Sequence, residues 1–269
     1  MAQSTIAEYC VYDTPERVAA AAAATFAKHA ADAAAARGIA RIAISGGSTP
    51  KRMFALLADE SKPYRAQMPW DKLDLYWVDE RCVGPEDAES NYRMTREQLL
   101  SKVPLAEDRI HRMEGELDPE EAANRYESMI RINWKLEGAE APVFDLVMLG
   151  MGDDGHTASL FPHTDAINEL GRLVVANHVP QKDTWRITLT WPVINQARAV
   201  VFLIEGRGKA DVLHEVLCGK YDPDALPSQL IRPRSGKLHL LLDAEAAWRL
   251  PKSGCVEEEC ETGVLELTR

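Results

Sequence analysis

Positive charge is in short supply in this 269-residue chain. It has 31 lysines and arginines against 42 aspartates and glutamates, a formal charge of −11. That balance excludes general binding to a nucleic-acid backbone, which needs a basic face. A small anion is still accessible if a few Lys, Arg and backbone N–H groups converge locally. Cysteine is scarce as well. Cys10, Cys82, Cys218, Cys255 and Cys260 are odd in number and scattered, with no CxxC and no Cys/His zinc spacing. Free thiols in a reducing compartment are expected, and no metal site. The N-terminus lacks a basic stretch before an apolar core, so no secretory signal is expected. The alanine-rich run near residues 19–36 is interrupted by Lys28, His29 and Asp32. It is also poor in strongly apolar side chains, so no membrane span is expected. Together these absences read as a cytoplasmic protein. Internal repeats and long linkers are missing too, which favours one domain over residues 1–250. Residues 251–269 are charged with little periodicity, and a loosely held acidic tail is expected there.

What is present is a 46% hydrophobic share arranged in short apolar runs that alternate with helical stretches. Strands are expected at 8–12, 39–44, 73–78, 144–149, 199–204 and 238–242, with a strand pair at 172–179 and 185–190. Thr14-Pro15-Glu16 opens a helix, with Thr as cap and Pro in the first turn, and Gly38 closes it. Further helices are expected from Lys51, after Ser90, from Pro119 and up to Leu217. Strand–helix alternation of this kind predicts an α/β fold: a parallel sheet with right-handed crossovers and helices on both faces.

Four of the strands end in polar, glycine-rich or charged turns, and in an open parallel sheet such ends share one edge, where ligands bind. Ser45-Gly46-Gly47-Ser48-Thr49-Pro50 can bring backbone N–H groups, two hydroxyls and a helix N-terminus to a terminal phosphate. It can also be a plain capped turn. It lacks the GK[ST] ending of a nucleotide-triphosphate loop. Asp79-Glu80-Arg81 is either a solvated charged turn or a place where Arg81 forks onto phosphate and Asp79 orients a hydroxyl or a histidine. Lys209 follows Glu205-Gly206-Arg207-Gly208. A lysine at a helix start opposes the dipole, and a bound anion would compensate; a surface lysine is the alternative. Arg186 either reaches the same edge or faces solvent.

The fourth turn is Gly150-Met151-Gly152-Asp153-Asp154-Gly155-His156. Formally it is a GxGxxG, but two aspartates inside the loop would repel a pyrophosphate, which argues against a dinucleotide site. His156 is either a satisfied structural histidine or, beside the acids and the phosphate cradle, a general base.

The segments ISGGSTP, WVDERCV with SNYR downstream, LGMGDDGHTASLFP and EGRGK occur in this order, and the chain resembles the 6-phosphogluconolactonases over roughly residues 10–245. The resemblance implies a modified Rossmann-like α/β fold shared with the glucosamine-6-phosphate isomerase group. It implies hydrolysis of 6-phosphoglucono-1,5-lactone in the oxidative pentose phosphate pathway, no cofactor, and a monomer or small homo-oligomer. His156, Asp154, Asp79 and Arg186 become the expected catalytic set. Gly46, Gly47, Ser48, Thr49, Arg81, Gly155 and Lys209 become the expected grip on substrate and phosphate. Deaminases of the same group carry an acidic residue after the histidine; here Thr157–Pro162 has no carboxylate. That departure favours the lactonase over a deaminase or a non-catalytic sugar-phosphate sensor.

Overall fold

The computed structural model describes residues 5–251, 255–257 and 260–267. Twelve strands are seen: β1 (Thr5–Tyr12), β2 (Ala40–Ile44), β3 (Leu73–Trp77), β4 (Asp79–Arg81), β5 (Ile110–His111), β6 (Leu146–Leu149), β7 (Val174–Val179), β8 (Thr184–Leu189), β9 (Ala199–Ile204), β10 (Lys237–Asp243), β11 (Cys255–Glu257) and β12 (Cys260–Leu267). The helices are α1 (Pro15–Arg37), α2 (Ser48–Ala58), α3 (Pro63–Gln67), α4 (Asn91–Gln98), α5 (Pro119–Trp134), α6 (Trp191–Ile194) and α7 (Ala210–Cys218). Nine strands form the main sheet in the order β11-β12-β1-β10-β9-β6-β2-β3-β5. From β1 to β5 every pairing is parallel. A small antiparallel sheet, β4-β8-β7, stands beside it.

Local chemistry explains the frame. Thr14 Oγ1 accepts the N–H of Arg17 at the start of α1, and Gly38 ends it at φ 78°. The inner face of α1 is mostly alanine around Phe26, and small side chains let the helix lie close against the sheet. β2, β3, β6 and β9 are buried on both faces, as expected of central strands in a helix-covered parallel sheet. After β2 the chain moves outward to β3, whereas after β6 it moves the other way to β9. The strand order therefore reverses between β2 and β6, where such sheets open a crevice at their carboxyl edge.

The structure departs from the sequence reading in four stretches of the frame. The Asp79–Arg81 segment is a strand, not a solvated turn. Val78 bridges the two sheets, its N–H donating to Ile44 and its carbonyl accepting from Leu189, so the chain leaves β3 and enters β4 without a break. Asp79 and Glu80 are consequently buried. The polar stretch 59–71 contains α3, and 101–117 contains β5. The expected loose tail instead supplies, in its described part, the β11–β12 hairpin, with β12 running antiparallel to β1. Gly263 leaves room for the ring of Tyr9, since a Cβ there would lie 2.1 Å from Cζ. Leu267 is buried, and its carbonyl accepts from Arg232. Ending the chain at Pro251 should therefore bare the β1 edge and the cover over this core. We expect thermal unfolding to shift down by roughly 4–8 °C, as about 2 kcal/mol of lost burial implies.

Candidate active site

A cleft of about 400 Å³ opens at the carboxyl edge, over the ends of β2, β6 and β9. On its floor the loop after β6 folds back on itself. The Gly152 N–H donates to the His156 carbonyl at 2.8 Å, the Gly155 N–H to the Gly152 carbonyl at 3.3 Å, and the Thr157 hydroxyl to the Gly150 carbonyl at 2.8 Å. Asp154 Oδ1 accepts from the His156 backbone N–H at 3.1 Å and lies 2.5 Å from His156 Nδ1. Half-burial pushes the Asp154 carboxyl up. The His156 hydrogen bond, the imidazolium charge and backbone N–H groups outweigh that and bring it down to about 2. The other face of the imidazole stacks on Phe161, ring centres 4.0 Å apart. Gly152 is required by close approach: a Cβ there would sit 2.0 Å from His156 Nδ1 and 2.4 Å from Asp154 Oδ1. A carboxylate on Nδ1 selects the tautomer whose proton is on Nδ1 and leaves Nε2 as the acceptor.

Asp79, the other candidate partner of the histidine, is engaged elsewhere. Its Oδ2 accepts from the Ser159 hydroxyl at 2.7 Å, and its carbonyl accepts from Asn91 Nδ2 at 2.9 Å. Asp153 is exposed and approaches Lys209 at 3.9 Å. Glu80 is an anchor for a helix start: its two oxygens accept from the N–H groups of Arg81, Asn91 and Tyr92 and from the Ser90 hydroxyl. Burial raises its pKa, against the pull of those N–H groups.

Cations ring the cleft. Arg81 and Arg186 are direct cross-strand partners in the β4–β8 pair, an arrangement that costs energy unless an anion lies between them. Among the described residues neither makes a salt bridge. Arg81 donates to the Glu89 carbonyl, and Arg186 to the Thr184 hydroxyl at 2.9 Å. Burial, and then the charge of Arg81, lower the pKa of Arg186. Lys209 closes a 3₁₀ turn, Arg207–Lys209, just before α7, rather than opening the helix itself. α2 begins at Ser48, three residues earlier than the sequence suggests, with Gly47 as its cap and no side chain on its first N–H groups. Gly47, Ser48 and Thr49 at that helix start line the cleft.

Of the residues expected at the site, His156, Arg186, Asp79, Gly46, Gly47, Ser48, Thr49, Arg81 and Lys209 line the cleft. Asp154 stands behind His156. Gly155 does not line it. Its φ of 78° shapes the turn, and a Cβ there would meet Leu226 at 2.7 Å. The sequence reading missed Asn91, Lys182 and Glu205, and set Ser159 aside; all four line the cleft. Ser90-Asn91 was visible as a helix start, but nothing local says that its partner would be Glu80. Among the described residues no group of three or more His, Cys, Asp or Glu side chains is disposed to hold a metal ion, and no helix is long and apolar enough to cross a membrane.

A parallel sheet with a crevice at its switch point, an acid–base pair on the floor and cations on the rim defines an α/β protein built for chemistry on a small anionic ligand. Residues 13–240 match the profile of the family described as glucosamine-6-phosphate isomerases/6-phosphogluconolactonase. The chain belongs to that family. It is 42% identical over 215 residues to a 6-phosphogluconolactonase of Synechocystis sp., covering 80% of this chain and 86% of that one. It is 38% identical over 211 residues to the 6-phosphogluconolactonase of Haemophilus influenzae, covering 78% and 86%. Among solved structures, a 6-phosphogluconolactonase from Trypanosoma cruzi superposes with a TM-score of 0.79 at 32% identity, over 94% of this chain and 99% of that one. A monomeric glucosamine-6-phosphate deaminase shares the fold, with a TM-score of 0.74 at 19% identity.

Proposed function

We propose that the chain hydrolyses 6-phospho-D-glucono-1,5-lactone to 6-phospho-D-gluconate, the second step of the oxidative pentose phosphate pathway, and that it does so in the cytoplasm. The observation that carries the chemistry is the Asp154–His156 pair, whose histidine lines a cleft rimmed by cations. Nε2 takes a proton from water as that water attacks C1 of the lactone, and returns one to the ring oxygen as the C1–O bond breaks. Asp154 holds the tautomer and steadies the imidazolium. Arg186 stabilises the oxyanion. The amides of Gly152 and Gly155 are spent on closing their own turn and contribute less to the oxyanion than the glycine-rich sequence suggests. Gly46, Gly47, Ser48, Thr49, Arg81 and Lys209 grip the phosphate, and this remote binding positions the lactone. Asp79 acts through Ser159, keeping its hydroxyl fixed on the cleft wall.

The test is a coupled assay on freshly made lactone, corrected for spontaneous hydrolysis, beside an ammonia-release assay on glucosamine 6-phosphate. Lactone turnover well above background with no ammonia is expected. Ammonia release without lactone turnover would overturn the proposal in favour of a deaminase. Lys209→Ala should raise KM about ten- to a hundredfold, the worth of one charge-assisted hydrogen bond, with kcat changed only a few-fold. A collapsed kcat at unchanged KM would place Lys209 in the chemistry instead.

A further inference from the structure

One carboxylate in the cleft stands where the proposed mechanism has no use for it. Glu205 follows β9, lines the cleft beside the Ser45–Thr49 turn, and its side chain is only 9% exposed. Arg52, one turn into α2, pairs with Oε2. The Thr49 hydroxyl also favours the charged form. Oε1 is buried with no hydrogen-bond partner, as is Arg52 Nε. A buried acceptor left unpaired is costly, and Glu205 itself lines the cleft, where a bound ligand can satisfy it. A phosphate oxygen cannot pair with a carboxylate oxygen unless a proton lies between them.

Every other element near Glu205 bears on that proton. Arg52 on α2 favours the carboxylate, whereas Asp243 at the end of β10 and Glu16 on α1 oppose it. Lys209 and His156 line the same cleft. Burial is the largest influence and raises the pKa, ahead of the opposing pull of Thr49 and Arg52.

We propose that Glu205 is a specificity-determining residue of the phosphate subsite, joining the bound phosphate as the neutral acid and donating a hydrogen bond from Oε1 to a phosphate oxygen. The inference rests on reading the Ser45–Thr49 turn as that subsite. One proton moves from solvent to Glu205 as the ligand enters, and no bond in the ligand breaks. Affinity for the phosphate end therefore falls as pH rises, beyond what the ionisation of the phosphate itself contributes.

The experiment compares 6-phosphogluconate binding by calorimetry at pH 6 and pH 8 in the wild-type chain, Glu205→Gln and Arg52→Gln. Thermal unfolding serves as the folding control. Glutamine keeps the shape, offers an N–H donor and carries no charge. Glu205→Gln should bind about tenfold tighter at pH 8, because it needs no proton uptake on binding, with the advantage shrinking towards pH 6. Proton uptake on binding, read from buffers of different ionisation enthalpy, should fall. Arg52→Gln should also take up less proton on binding, because Glu205 without its counter-ion already lies closer to the neutral acid. KM for unphosphorylated glucono-1,5-lactone should not share the Glu205→Gln gain. Equal or weaker binding by Glu205→Gln at pH 8 overturns the proposal, and so does an equal gain on the unphosphorylated lactone. A wild-type chain that binds 6-phosphogluconate but does not turn over the lactone would sink the functional reading while leaving this comparison intact.

Discussion

His156→Ala should lower kcat on 6-phosphoglucono-1,5-lactone by about 10²–10⁴, the usual worth of a positioned general base, and leave KM within a few-fold. The reason lies in how much of the loop exists to present this one ring. Nδ1 is held at 2.5 Å by Asp154, one face stacks on Phe161, and Gly152 has no side chain where the ring and carboxylate need the space. None of these contacts touches the proposed phosphate grip, so ground-state binding should survive. Alanine also removes the stacking on Phe161, and the thermal unfolding of the variant must be measured beside its kinetics. Activity within a few-fold of wild type in a normally folded variant would mean that another group activates the water.

The catalytic edge was readable in the sequence because each of its turns interrupts an apolar run. SGGSTP, GMGDDGH and EGRGK are local signals of strand ends, and a parallel sheet brings strand ends together without further information. What could not be read was set by distant pairing. Asp79-Glu80-Arg81 looks like a surface turn because three charged residues in a row usually are one. Its burial comes from β8, more than a hundred residues on, and from the start of α4, whose N–H groups Glu80 collects. The assignment of Asp154 rather than Asp79 to His156 is likewise invisible in spacing. It follows from a turn tight enough for Oδ1 to accept both from the backbone and from the ring of a residue two positions on. The tail misled for a different reason. Its charge masked an alternation in which Gly263 and Leu267 are buried against Tyr9 and the core while Val264 between them is exposed. Glu205 was passed over as part of a glycine-rich turn, since only the fold brings Arg52 to it.

Asp154→Asn should cost about 10² or more in kcat with little effect on KM, although asparagine fills the same space. An amide beside Nδ1 has two orientations. With its oxygen towards the ring it accepts from Nδ1–H, but it no longer carries the charge that steadies the imidazolium. With its NH₂ towards the ring it donates to Nδ1, moves the ring proton to Nε2, and removes the acceptor that water needs. Either way the base is weakened, and the amide settles the balance by which hydrogen bond is better satisfied. A purely structural role for Asp154 would produce a different signature, and pH separates the two. The folded carboxyl titrates at about 2, below the ordinary value of about 4. A depressed pKa stabilises the fold above the unfolded value, and the contribution is lost as pH falls from about 4 towards 2. Asp154→Asn has no such group to titrate. Its thermal unfolding should fall less steeply than that of the wild type over that window, while its loss of kcat persists at neutral pH. Parallel unfolding curves would mean that Asp154 and His156 are not coupled in solution, and a neutral-pH kcat equal to wild type would remove Asp154 from the mechanism.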